Sequence, residues 1–183
     1  MKNKILISAL ILLTFLSSCK DEKKSDAQAN EPIVKENFSA ELDIVASKKD
    51  DFALYYTEDN TISFSGDKAI WRGVKGGNVD EKIIFELSEE IIPTDIRIDF
   101  GLNKEQELIE LKNIKLIYYG KELLIKGSDF FNYFVEDKKF KTEIDPAKGS
   151  IKFIISPENY QTPYYYPRQE LVDALKKLTT EKK

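Results

Sequence analysis

Short runs of alternating apolar and polar residues recur from residue 38 onward, and this period-two pattern restricts the chain to strand-rich folds. In the first run, apolar side chains occupy every second position: Phe38, Ala40, Leu42, Ile44 and Ala46. Turn-forming Gly, Asn, Asp and Pro residues separate this run from those that follow. Many short strands joined by such turns predict a mainly β fold, an antiparallel β-sandwich.

The alternation predicts eleven strands, and two other segments favour helix. The strands cover residues 38–46, 52–57, 61–65, 70–74, 82–87, 95–100, 108–111, 114–119, 123–126, 140–144 and 151–156. Residues 128–134 predict about one helical turn, with Ser128 as a candidate cap. Residues 168–178 predict an amphipathic C-terminal helix whose apolar stripe is Leu171, Ala174, Leu175 and Leu178.

The N-terminus has the three zones of a secretory signal peptide. Lys2 and Lys4 form a basic start, residues 5–16 are apolar, and two serines precede Cys19, the only cysteine of the chain. The apolar run is shorter than the roughly 20 residues that a membrane-spanning helix needs. Residues 1–18 are therefore predicted to be a signal peptide. Residues 20–36 are polar and nearly free of large apolar side chains, which predicts a flexible tether over residues 19–36.

The sequence LSSC at residues 16–19 resembles the lipobox of bacterial lipoproteins. The resemblance implies that Cys19 becomes the first mature residue and carries acyl chains, such as palmitate, that hold the protein to a membrane. The alternative is a cysteine that lies in a cleaved signal by chance. Lys20, Asp21 and Glu22 resemble the surface-export signal of Bacteroidetes lipoproteins, which implies an outer-membrane lipoprotein displayed on the cell surface. The alternative for these three residues is a solvated charge cluster at the start of the tether.

Composition excludes several classes of function. Of the 28 basic residues, Lys2 and Lys4 are lost with the signal peptide, so 26 basic residues face 32 acidic ones and the net charge goes from −4 to −6. Nucleic-acid binding requires a basic face, so no nucleic-acid partner is expected. The chain has no histidine, which excludes a Ser-His-Asp triad and His-ligated zinc. We therefore expect no enzymatic activity, with a carboxylate-based hydrolase as the least favoured alternative.

Residues 37–183 are predicted to form a single sandwich domain that includes the C-terminal helix and tail. Residues 52–65 (FALYYTEDNTISFS) and 91–116 (IIPTDIRIDFGLNKEQELIELKNIKL) resemble a β-sandwich module attached to bacterial glycan-handling proteins. That resemblance implies a jelly-roll-like, carbohydrate-binding-like domain without catalysis of its own.

Aromatic side chains are the natural candidates for a glycan site, because the apolar face of a pyranose packs on a ring while polar groups bind its hydroxyls. The candidate residues are Trp71, Arg72, Tyr160, Tyr164, Tyr165, Tyr166 and Arg168. Glycan binding predicts that some of these rings are exposed and coplanar. The alternatives are a Trp71 buried in the core and an extended connector at 160–168 whose rings cover the sandwich edge.

No cofactor is expected, although structural Ca²⁺ is a weaker alternative. Asp95, Asp99 and Glu107 flank a turn of the kind that holds Ca²⁺ in jelly-roll domains, and solvated turn charges are the competing interpretation. The sequence thus predicts a lipid-anchored envelope protein that binds a glycan. The alternative is an accessory subunit that docks onto another envelope protein.

Overall fold

The computed structural model of the protein describes residues 36–139, 142–154, 160 and 162–180. They belong to one compact unit, Val34–Lys183. The predicted signal peptide, Cys19 and nearly all of the predicted tether lie outside the described residues.

The described residues form eleven strands and two α-helices. In chain order these are β1 (Ser39–Ala46), β2 (Asp50–Thr57), β3 (Ala69–Val74), β4 (Asp80–Glu86), β5 (Asp95–Phe100), β6 (Leu108–Tyr118), β7 (Lys121–Lys126), α1 (Phe130–Tyr133), β8 (Phe134–Glu136), β9 (Thr142–Asp145), β10 (Ser150–Phe153), β11 (Tyr164–Pro167) and α2 (Gln169–Thr180). Short 3-10 turns precede β3 and α1.

Two antiparallel sheets pack against each other, which confirms the predicted sandwich. Sheet A has the order β4-β1-β6-β10-β9, with β7 also paired to β6. Sheet B has the order β3-β2-β5-β11-β8. Every second residue of each central strand faces the other sheet, and these residues form one core with α2. Burial of this apolar surface is the main source of stability.

Aromatic rings fill the core beside α1. Phe100 lies between Phe52 and Tyr165, at centroid distances of 5.3 and 5.6 Å, and Phe130 stacks on Phe134 at 4.6 Å. The C-terminal helix covers this region with the predicted stripe, of which Leu171, Leu175 and Leu178 are buried. Among the described residues, no helix has the length and apolar character needed to span a membrane.

Two local predictions are wrong. Residues 61–65 do not form a strand, because the loop is held by its own polar groups: Asp59 accepts hydrogen bonds from the backbone N–H and the hydroxyl of Thr61. Ser128 does not cap a helix. It lies inside the 3-10 turn Gly127–Asp129, and α1 follows from Phe130 with Asp129 at its N-cap.

Pairing over long sequence distances explains the other differences. The predicted strands 108–111 and 114–119 are one strand, β6, whose pairing with β1 shifts register between Asp43 and Ile44. The segment expected to be either a ligand loop or a connector is β11, an internal strand of sheet B paired with β5 and β8. The alternation signal in YYYP is too short to be recognised without those partners.

Candidate ligand-binding face

The outer face of sheet A carries mainly charged side chains, with the exposed apolar residues Ile84 and Leu124 among them. Lys82 lies 3.2 Å from Glu41, Lys115 lies 3.6 Å from Glu122, and other oppositely charged pairs continue across β9 and β10. Such exposed pairs contribute little to stability and are typical of a surface that faces water.

The outer face of sheet B is aromatic instead. Its side chains come from four neighbouring strands and from the loop before β3. They are Tyr55 of β2, Phe64 of the loop, Trp71 of β3, Arg97 and Asp99 of β5, and Tyr164 and Tyr166 of β11. We call these seven residues the aromatic face.

Strand register brings the members of the aromatic face together. Ala53 is opposite Trp71 on one side and Asp99 on the other, and Asp99 is opposite Tyr164. In the adjacent row, Tyr55 is opposite Arg97. Directly opposed side chains on one face of a sheet are close enough to interact, so these residues form one continuous surface.

Arg97 lies at the centre of the aromatic face. Its guanidinium carbon is 4.1 Å from the ring centroid of Tyr55 and 4.6 Å from that of Tyr164. The rings of Phe64 and Tyr166 are at 5.4 and 5.7 Å. Each favourable cation–π contact of this kind is worth about 0.5–2 kcal/mol. The rings therefore hold the guanidinium in place.

Asp99 holds the same guanidinium from its edge. Arg97 donates two hydrogen bonds, Nε to Oδ1 and Nη2 to Oδ2, both at 2.8 Å. The side chains are only 13% and 6% exposed. Burial raises the pKa of the Asp99 carboxyl, and the hydrogen bonds and charge of Arg97 offset part of that rise. The result is a buried bidentate ion pair without net charge.

Trp71 is the most accessible ring of the aromatic face, with 40% of its surface exposed. It meets Tyr55 edge to face, at 6.3 Å and 75°. The surface beside Trp71 is recessed because its neighbours have small side chains. Ala53 is fully buried, and the exposed Gly73 lies two residues along β3, near Asp51. A partly exposed indole, a shallow floor and an exposed carboxylate thus occur together.

The rings of the aromatic face are not coplanar, contrary to the expectation for a flat glycan platform. Tyr164 and Tyr166 are at 88° to each other, and Phe64 is tilted by 38° from Tyr166. Tyr164 and Tyr166 are half-buried. Trp71 is consequently the ring on which a flat group can stack, while the other rings form walls.

The structure unites three of the predicted site residues and separates the others. Trp71, Tyr164 and Tyr166 belong to the aromatic face although about ninety positions separate them in the chain. Because Trp71 is exposed, the alternative that it is buried in the core is wrong.

Tyr165 does not belong to the aromatic face. It is fully buried and packs on Phe100 and Phe130, at 5.6 and 5.3 Å. Along a strand, alternate side chains point to opposite faces, so Tyr165 has to point inward when Tyr164 and Tyr166 point outward.

Tyr160, Arg72 and Arg168 have structural hydrogen bonds to backbone carbonyls, and that of Arg72 Nη1 to the Trp71 carbonyl, at 2.9 Å, places this cation beside the aromatic face. The Tyr160 hydroxyl donates to the Gly101 carbonyl at 3.0 Å, and burial raises its pKa. Arg72 donates from Nε to the Ile84 carbonyl at 2.9 Å, which links the edges of the two sheets. Arg168 donates from Nε to the carbonyls of Phe131 and Phe134, at 3.0 and 3.2 Å, and so connects α1 to the start of α2.

Sequence reasoning missed four contributions to the face: Tyr55, Phe64, Arg97 and the role of Asp99. Part of the signal was visible, because Arg97 and Asp99 alternate with Ile96 and Ile98 and must share the outer face of their strand. The pairing of β5 with β11 was not visible, since more than sixty residues separate them.

The three carboxylates considered for Ca²⁺ have different partners. Asp99 pairs with Arg97, and Glu107 lies 3.2 Å from Lys48. Asp95 is buried opposite Thr57. Within the described parts of the chain, no group of three or more acidic, Cys or His side chains is placed to hold a metal ion.

Asp95→Asn should stabilise the fold more at neutral pH than in acid. Burial raises the pKa of Asp95 above its usual value of 3.8. Its charged form therefore weakens the folded state above the folded pKa, and this penalty vanishes below the unfolded pKa. Urea unfolding at pH 7 and at about pH 3 measures the difference between variant and wild type.

Asp59→Asn is the control, because its effect on stability should depend on pH in the opposite direction. The Thr61 hydrogen bond lowers the pKa of the exposed Asp59 carboxyl, so its stabilising effect is present at pH 7 and is lost as the pH falls through the folded pKa. If the stability difference from wild type changed with pH in the same direction for both variants, the raised pKa of Asp95 or the lowered pKa of Asp59 would be contradicted.

The chain matches no protein-family model, no curated protein and no solved structure.

Proposed function

We propose that the protein is a non-catalytic lipoprotein of the cell envelope whose aromatic face binds a glycan. The observation that carries the proposal is the difference between the two outer faces. Sheet A presents oppositely charged pairs to solvent, whereas sheet B presents Trp71 above a half-buried group of rings with Arg97 and Asp99 among them. Exposed aromatic surface of this kind is typical of sites that bind a ligand.

The mechanism combines stacking with hydrogen bonding. The exposed face of the Trp71 indole packs against the apolar face of a pyranose. Asp51, two positions from Ala53 on β2, offers an exposed carboxylate to the sugar hydroxyls. The other rings of the aromatic face stand at steep angles to one another and form a wall. They therefore restrict the shape of the ligand more than a flat platform of coplanar rings would.

Attachment to the membrane is the second part of the proposal. Acyl chains on Cys19 hold the protein to the outer membrane, and the polar residues 20–36 connect the anchor to the sandwich. A glycan-binding domain on such a tether reaches ligands near the membrane surface.

Trp71 also supplies the experiment, because it is the only tryptophan in the chain. Its fluorescence reports on the aromatic face without any label. Titration with a panel of soluble oligosaccharides should change the emission and reduce acrylamide quenching for those that bind. No change with any member of the panel, together with no retention on a glycan array, would contradict the proposal. Recovery of a specific envelope protein by crosslinking in intact cells would then favour the docking alternative.

Trp71→Ala should weaken glycan binding by about 2 kcal/mol, or roughly thirtyfold in affinity. The loss follows from removal of the one ring that is open for stacking. Stability should change by less than about 1 kcal/mol, because the side chain is substantially exposed. Glycan arrays or calorimetry measure the first effect, and denaturant unfolding measures the second.

Leu124→Ala is the matched control for Trp71→Ala. Leu124 is also a large exposed apolar side chain, at 55%, but it lies on β7 in sheet A. Equal loss of affinity in the two variants would show that the aromatic face is not the binding surface.

A further inference from the structure

We propose that the aromatic face selects uncharged glycans against acidic ones, an inference that rests on the proposed function and narrows its ligand class. Two observations carry it: the only cation of the aromatic face is already paired with a carboxylate, and a second carboxylate lies exposed beside Trp71.

Arg97 has little capacity left to bind an acidic ligand. A guanidinium binds a ligand carboxylate through two parallel N–H groups, which is the strongest way for a protein to recognise an acidic sugar. In this structure Asp99 already occupies such a pair of donors, with both hydrogen bonds at 2.8 Å. Tyr55 and Tyr164 lie within 4.6 Å of the guanidinium carbon. The N–H groups that Asp99 does not occupy can still donate a hydrogen bond to a neutral hydroxyl.

The charge near Trp71 is net negative when the aromatic face and Asp51 are taken together. The Arg97–Asp99 pair sums to zero, and Asp51 adds an exposed negative charge near Gly73. A uronate or sialate carboxylate brought to Trp71 would meet the like charge of Asp51, and the guanidinium of Arg97 is already paired with Asp99. Like-charge juxtaposition at an interface is strongly unfavourable, so it works as selection against acidic ligands.

On the outer face of sheet A, in contrast, the cations of the described residues are not held in place by rings and a buried carboxylate. On sheet A, lysines such as Lys82 and Lys152 are substantially exposed at their ion pairs. Their ammonium groups can reorient toward an arriving anion. Arg97 is 13% exposed and is held by rings, so it cannot.

The test compares glycans that differ only in charge. Mannan oligomers and mannuronate oligomers of the same linkage and length form one such pair, and cello-oligomers with their uronate counterparts form another. Binding is followed by Trp71 fluorescence and by calorimetry. The wild type should bind the neutral member of at least one pair at least about tenfold more tightly than the acidic member, with little dependence on salt.

Asp99→Asn should reverse or erase the preference. Asparagine keeps the shape of the side chain and one hydrogen bond to Arg97, but it leaves the guanidinium charge uncompensated. The ratio of neutral to acidic affinity should fall by about tenfold or more, and the binding of the acidic member should become sensitive to salt.

Asp43→Asn is the matched control, since it makes the same chemical change on sheet A, where Asp43 lies 3.4 Å from Lys82. Asp43→Asn should leave the ratio of neutral to acidic affinity unchanged. Tighter binding of the acidic member by the wild type, or equal ratios for all three proteins, would overturn the inference while leaving glycan binding in place. Absence of binding to either member of every pair would overturn the proposed function and this inference together.

Discussion

Cys19→Ala is expected to move the protein from the membrane fraction to the soluble fraction and to abolish metabolic labelling with palmitate. The reason is additive burial of acyl chains: one chain gives marginal, reversible attachment at about 0.8 kcal/mol per buried CH₂, whereas two or three give a stable anchor. Removal of the only cysteine removes every site for a thioether-linked lipid. Ultracentrifugation of lysed cells, followed by detection in pellet and supernatant, measures the effect.

The control for Cys19→Ala keeps the cysteine and changes its charged neighbours. With Asp21 and Glu22 both replaced by alanine, the lipobox-like residues are intact, so the protein should remain labelled and sediment with membranes. Sedimentation of Cys19→Ala with the envelope, together with absence of palmitate from the wild type, would remove the anchor from the proposal.

The alternation of apolar residues was sufficient to predict the sandwich because burial of one face is a local property of each strand. Ile96, Ile98 and Phe100 alternate with charged residues, and all three are fully buried in the structure. The stripe of α2 was predictable for the same reason, since positions 171, 175 and 178 share a helix face.

The site was less predictable because it depends on which strands become neighbours. Nothing near Arg97 in the sequence indicates that Tyr164 will lie beside it, because the contact requires β11 to insert between β5 and β8. Phe64 illustrates a second difficulty. Its segment alternates like a strand, but the loop folds so that its ring meets Tyr166 at 5.9 Å. The local alternation pattern therefore shows which side chains point outward from a strand. Which of these side chains contact one another depends on the pairing of strands that are distant in the sequence.

Arg97→Leu is expected to be among the most destabilising substitutions on the surface of the sandwich, at about 3–5 kcal/mol near neutral pH. It removes the partner of Asp99, whose side chain is 6% exposed, and leaves a buried carboxylate beside aromatic rings. Loss of the cation–π contacts with Tyr55 and Tyr164 adds to the effect. Urea unfolding at pH 7 measures the free energy of unfolding, and a change below about 1 kcal/mol would contradict the buried-pair interpretation.

The sign of the pH dependence separates an orphaned charge from lost packing in Arg97→Leu. Without Arg97, the folded pKa of Asp99 moves further above its unfolded value, so the penalty is present above the folded pKa and disappears in acid. The deficit of Arg97→Leu relative to wild type should therefore shrink as the pH falls toward the unfolded value of an aspartate. A deficit that is constant with pH would assign the loss to packing.

The double variant Arg97→Leu/Asp99→Leu tests why such a pair lies in the aromatic face. Replacement of a buried ion pair by apolar residues is often neutral or stabilising, so the double variant should recover most of the stability lost in Arg97→Leu. Tyr55, Tyr164 and the new leucines would then form a surface without the ion pair. If this stable protein has lost affinity for neutral glycans, the pair contributes hydrogen-bonding groups to ligand recognition. If affinity is unchanged, Arg97 and Asp99 only position the rings, and recognition belongs to Trp71 and its exposed neighbours.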